Sequence, residues 1–171
     1  MKKTALILLV AIVGLWFAFS SFAPQAPLKD GLYLSYDQAG SQIRVTFTEI
    51  SKTKFQATVT PGNSQKIVNK RLESSGGAVY EVGLLGPLWI PPSSVKVGGK
   101  AHGSSISEVK HWKEWDVGVV KASFGVGGAL RGTWYYEVNT GFLVGGNKTT
   151  VMSSQGEGIQ FVLSETNLEG L

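Results

Sequence analysis

The side chains in this sequence that could carry acid–base or metal chemistry are few and scattered. There are two histidines, His102 and His111, and the second lies near Glu108, Glu114 and Asp116. Imidazole with carboxylate is a zinc-type donor set, but the compact spacing that brings ligands to one face of an element is missing. Both histidines are read as surface side chains, and no metal site is expected. Serine hydrolysis needs a nucleophile, a base and an orienting acid, and no G-x-S-x-G stretch singles out one serine. Gly125, Val126, Gly127 and Gly128 with Arg131 have the glycine content of a phosphate loop. They lack the following Lys-Ser/Thr pair and the helix whose N-terminal amides would bind the anion. Glu108, Glu114 and Glu137 offer carboxylates for glycoside cleavage, but sequence alone does not pair them. The expectation is a protein that is not an enzyme and uses no cofactor.

Aromatic residues are the stronger signal. Trp89, Trp112, Trp115, Trp134, Tyr136 and Phe142 are the candidate ligand-binding residues, with Tyr135 in the same run. Successive residues of a strand point to opposite faces, so about half of such a set must face away from the core. Solvent-facing Trp and Tyr stack on sugars, lie at a membrane surface or anchor a partner. The segment that positions most of them is RGTWYYEVNTGFLVGG, residues 131–146. Residues 133–138 are aromatic and β-branched, Asn139, Thr140 and Gly141 form a short loop with glycine available for a positive φ, and residues 142–144 are apolar again. A β-hairpin is expected.

Elsewhere the period is also two. Ile43, Val45 and Phe47 alternate with Arg44, Thr46 and Thr48, and Phe55, Ala57 and Val59 repeat the pattern after a turn at 51–53. Further strands are expected at 31–36, 78–82, 117–124, 149–153 and 159–164, with a turn at 155–158. Residues 66–72 are undecided between strand and helical turn. At 105–115 the i, i+3 spacing of Ile106, Val109 and Trp112 competes with strand composition, and strand is favoured. Residues 86–92, GPLWIPP, contain three prolines without ladder donors and should lie across an open end or edge of a sheet. Nine to eleven strands result, and the fold class is all-β, an antiparallel meander forming a curved sheet or half-barrel. The 22 glycines and a charged fraction of 16 % agree with a turn-rich β protein. Cysteine is absent, which excludes disulfides, thiol catalysis and a lipidated N-terminal cysteine. The net charge of +4 includes Lys2 and Lys3, and Lys66, Lys70 and Arg71 form no phosphate-binding cluster, so no nucleic-acid partner is expected.

Ahead of the domain, residues 4–23 are uncharged and apolar behind Lys2 and Lys3. Twenty residues make about 30 Å of helix, the thickness of the hydrocarbon core, so one N-terminal transmembrane helix is expected, with Trp16, Phe17, Phe19 and Phe22 near its outer end. The positive residues place the N-terminus in the cytoplasm and the C-terminal domain outside. A cleaved signal peptide is the alternative, with small-x-small sites at Ser21-Phe22-Ala23 and Ala18-Phe19-Ser20 and a secreted product. The organisation is then 1–23 anchor or signal peptide, 24–30 proline-containing tether, 31–166 extracytoplasmic β domain and 167–171 frayed tail. Asn147-Lys148-Thr149 fits a glycosylation sequon.

The order LWIPP, a VGGK-like turn, two strands and GTWYYEVNTGFLVGG, over residues 88–146, resembles small extracytoplasmic β proteins of bacteria and archaea of the lipoprotein-carrier-like, curved-sheet group. The acidic residue that opens the turn there is replaced by Asn139. The resemblance carries no functional residue across; it implies a bent antiparallel sheet with an apolar concave face. On that reading Val45, Phe47, Phe55, Val59, Phe142 and Leu143 line a cavity for an apolar or lipid-like ligand. The alternative is an accessory or structural subunit of a cell-envelope complex, with a filled core and an exposed Trp/Tyr patch. The partners expected are the membrane, through residues 4–23, and a lipid or an envelope protein.

Overall fold

The structure, a computed structural model, describes residues 23–82, 85–124, 130–150 and 158–171. Among these are twelve strands. They are β1 (Leu32–Gln38), β2 (Ser41–Ser51), β3 (Lys54–Thr60), β4 (Ser64–Asn69), β5 (Glu81–Val82), β6 (Gly86–Pro87), β7 (Lys100–Ala101), β8 (Ser104–Trp112), β9 (Trp115–Phe124), β10 (Leu130–Glu137), β11 (Leu143–Thr150) and β12 (Ile159–Thr166). Ten of them form one open antiparallel sheet in the order β4-β3-β2-β1-β12-β11-β10-β9-β8-β7, and β5 pairs with β6. The chain therefore starts at the middle of the sheet, meanders to one edge, crosses to the other edge and meanders back until β12 pairs with β1.

That crossing builds the core. Residues 85–95 run over one face of the sheet, here the inner face, and bury Leu85, Leu88, Trp89, Ile90 and Val95. Prolines leave this segment without a full ladder, so its carbonyls need other donors. Trp134 Nε1 donates to the Leu85 carbonyl at 2.7 Å and Tyr136 Oη to that of Pro87 at 3.0 Å. The amides of Leu143 and Ile90 complete the attachment to the hairpin tip through Leu88 and Gly141. Segment 86–92, expected over an end or edge, thus lies on the inner face itself. Val45, Phe47, Phe55, Phe142 and Leu143 are fully enclosed beneath this cover and between the strands.

Residues 105–112 are strand, as favoured, with a turn at 113–114 before β9, and 64–69 settle as β4. A register shift between Ile106 and Glu108 brings Ile106 and Val109 into one phase, while Trp112 falls on the opposite face. Two boundaries differ from expectation. The tail expected to fray is pinned: Asn167 accepts from the Tyr33 amide and donates to the Gly31 carbonyl, and Leu168 is buried. The stretch 24–30, expected as a tether, is docked on the domain, with Ala26 and Leu28 buried and the Ala26 amide donating to the Lys70 carbonyl at 2.6 Å. Among the described residues no helix is long and apolar enough to cross a membrane. The expected helix lies outside the described residues but for Ala23, as do the loop at 125–128 and most of the stretch 151–158.

Candidate functional site

The hairpin at the centre of the sequence reading forms as expected, with β10 and β11 joined through Glu137 and Phe142. Gly141 has φ +74°, and a β-carbon there would fall 2.0 Å from the Ile90 carbonyl, so only glycine lets the crossing segment dock. The turn is held by Glu137. Its buried carboxylate accepts from the amides of Asn139 and Thr140, from Asn139 Nδ2 and from Thr140 Oγ1, all within 2.6–2.9 Å. Glu137 accordingly organises the turn.

The six candidate residues divide between the two faces. Trp134, Tyr136 and Phe142 are fully buried in the core, and Trp89 is nearly so with its Nε1 donating to the Thr140 carbonyl. Closed off in this way, Trp134, Tyr136 and Phe142 offer no surface to a ligand, and Trp89 keeps only an edge on a groove beside His102. Trp112 and Trp115 lie on the outer face. They are paired across the β8–β9 turn, which puts both side chains on one side. Their rings stack at 6.0 Å, and Tyr135 of β10 packs against Trp112 at 4.6 Å. Gly145 of β11 makes the room: a β-carbon there would sit 2.4 Å from the Trp112 ring. The neighbouring Gly146 does the same for Phe161 on the inner face, where a β-carbon would come within 2.9 Å. The pair of glycines after Val144 therefore serves two aromatic contacts on opposite faces.

The result is an aromatic strip across β8, β9 and β10 in which Trp112 and Tyr135 remain part-exposed. Lys113 Nζ lies over the Trp112 ring and Lys110 Nζ over Tyr135, each at 5.5 Å. Lys110 also donates to Glu108 at 2.9 Å, and that hydrogen bond raises its pKa. Past Trp115 the strip opens into a cleft of about 410 Å³ lined by Glu114, Trp115, Leu163, Glu165 and Leu171. Stacked rings, cations over them and a cleft with two carboxylates suit recognition by contact.

The histidines are not brought together into a reactive group. His111 Nδ1 is 3.1 Å from the Asp116 carboxylate, but both side chains are 70 % exposed on the open surface. His102 is half-buried, its Nε2 3.2 Å from the Trp89 carbonyl, and burial lowers its pKa. Among the described residues no group of three or more potential ligands could hold a metal ion. Two features escaped the sequence reading. Lys148 is buried at 1 % exposure on the inner face, donating to Gln38 Oε1 at 2.6 Å over the Phe161 ring. Burial lowers its pKa to about 8. A groove of about 300 Å³, mostly apolar, lies between Ile43, Val59, Pro61, Tyr80 and Val82. Alternation hinted at the first, since Lys148 shares a phase with Gly146; the second depends on the fold alone.

No known protein family, no curated protein and no solved structure matches this chain at a significant level.

Proposed function

We propose that this chain is a membrane-anchored, extracytoplasmic binding protein without catalytic activity, an accessory subunit of a cell-envelope assembly that holds a protein partner on Trp112 and Tyr135, with the buried Trp115 stacked behind them. The observation that carries the reading is the strip itself. Three aromatic side chains from adjacent strands stack on the outer face, where alternation ordinarily places polar residues. Large amphipathic rings next to a cleft are the usual anchors of an interface, and lysines over them can exchange one π contact for another. The anchor rests on the apolar run 4–23 behind Lys2 and Lys3. For the sheet we propose a half-barrel, because residues just past opposite edges, Arg71 and Glu73 after β4 and His102 after β7, line one groove. That shape, with its apolar inner face, is what the resemblance to the curved-sheet group implies.

The test is a photo-crosslinking amino acid at Lys113 in the full chain, expressed in its native envelope. A discrete protein adduct that disappears in Trp112→Ala and persists in Ile67→Ala supports the reading. Absence of an adduct, or one indifferent to Trp112, contradicts it.

A second reading keeps the apolar ligand but moves it. With Val45, Phe47, Phe55, Phe142 and Leu143 enclosed, an apolar space among the described residues is the groove at Ile43, Val59, Tyr80 and Val82. Its volume is at the lower end for small-molecule sites and suits a short acyl chain or one ring. Native mass spectrometry before and after organic extraction checks this: a co-purifying mass lost on extraction and absent from Val59→Trp is expected.

A further inference from the structure

Ala23 and Pro24, the first described residues after the apolar run, form one wall of a groove of about 270 Å³ whose other walls include Arg71, Val79, Trp89, Pro91 and His102. Two to three residues later the chain is fixed, since Ala26 is buried and its amide is bonded to Lys70. From Ala23 to Ala26 the backbone spans at most about 10 Å, so a domain held by residues 4–23 has no slack to turn another side towards the bilayer. The headgroup layer is about 5–7 Å thick on each side of the hydrocarbon, enough to reach the rim of this groove. The rim has the composition of a membrane-contact surface. Val79 is 41 % exposed, in a loop where Ser75, Gly76, Gly77 and Ala78 are also exposed, and Arg71 stands exposed beside it. Glu73, the one acid in the groove, already accepts from Asn69 Nδ2.

We propose that this groove is the membrane-facing surface of the domain, seated in the phospholipid headgroup layer, with Val79 at the acyl boundary and Arg71 meeting lipid phosphate. The inference rests on the reading of residues 4–23 as an uncleaved anchor. It goes beyond that reading by fixing the orientation of the domain, which leaves the aromatic strip for a partner. The β8–β9 turn at the end of the strip is ten residues from Gly103 along β8, about 33 Å away in an extended strand.

The absence of cysteine makes the test direct. Single cysteines replacing Val79 and, in the β8–β9 turn, Glu114 are spin-labelled in the full chain and reconstituted into vesicles of phosphatidylcholine with 30 % phosphatidylglycerol. Flotation of the vesicles reports anchoring, and collision with a water-soluble relaxant reports where each label lies. The expected result is flotation, with the Val79→Cys label at least threefold less accessible to the relaxant than the Glu114→Cys label. Adding Arg71→Glu is expected to bring the Val79→Cys label back towards the accessibility of the control. Flotation with equal accessibility at the two positions overturns the surface while leaving the anchor standing. No change on adding Arg71→Glu overturns the phosphate contact. Failure to float removes the anchor reading and the proposal with it.

Discussion

Trp134 and Tyr135 are neighbours in the chain with opposite fates. Trp134 is fully buried on the inner face with its indole N–H bonded to the crossing segment. Tyr135 is part-exposed on the outer face, its ring against Trp112 and under Lys110. The same division separates most of the aromatic set: the inner members make the core, Trp112 and Tyr135 make a surface, and Trp115 on the outer face is itself buried beneath them. Residue type does not distinguish them. Phase along the strand does, together with what the chain lays over each face. An aromatic-rich hairpin can thus close a fold on one side and offer a contact on the other.

The division is broken most severely at Trp134. Trp134→Ala empties a fully enclosed site and leaves the Leu85 carbonyl without its donor, and a loss of about 3–5 kcal/mol is expected in chemical denaturation. Next comes the turn that sets the phase. Glu137→Ala removes the acceptor of four bonds at the hairpin tip, and about 2–3 kcal/mol of destabilisation is expected by the same measurement.

The inner face also contains one polar exception. Lys148 titrates at about 8 in the folded state against 10.5 for a free lysine, because burial strips water from its ammonium. Between these values the unfolded chain binds more protons than the folded one, so stability rises with pH, by about 2 kcal/mol from pH 8 to pH 10. Above about pH 10 the sign reverses. Burial holds the hydroxyls of Tyr36 and Tyr136 well above 10, so the unfolded chain releases protons that the folded chain retains. Denaturation as a function of pH is expected to show this rise and fall, and Lys148→Met to flatten the rise alone. The smallest expected effect is at Gly145. Gly145→Ala puts a β-carbon against the Trp112 ring, with an expected cost of about 1 kcal/mol and a red shift of Trp112 emission as the ring lifts into water.

Much of this architecture was legible because strands write their faces with a period of two. The hairpin at 131–146, the alternation at 43–47 and 55–59 and the all-β class follow from that regularity. The faces of Trp112 and Trp115 did not. A register shift in β8 and a two-residue turn between the two tryptophans restart the phase, and sequence alone does not place either event. The crossing segment was legible as proline-rich and excluded from a central strand. Its position on the inner face depends on ring N–H and O–H groups of Trp134 and Tyr136, contacts 49 residues away in the chain. The acid that holds the turn, Glu137, gave no such sign in the sequence, because its burial and its four acceptor contacts depend on the folded hairpin.

The central claim is that the outer strip serves binding while the inner set serves folding, and Trp112→Ala tests it most directly. Its melting temperature and its adduct yield from a photo-crosslinker at Lys113 are measured in the same full-length protein. The account predicts a melting temperature within about 4 °C of the parent chain, as a loss near 1 kcal/mol implies for a domain of this size, together with loss of the adduct. A fall in melting temperature as large as that of Trp134→Ala, or an undiminished adduct, would contradict it.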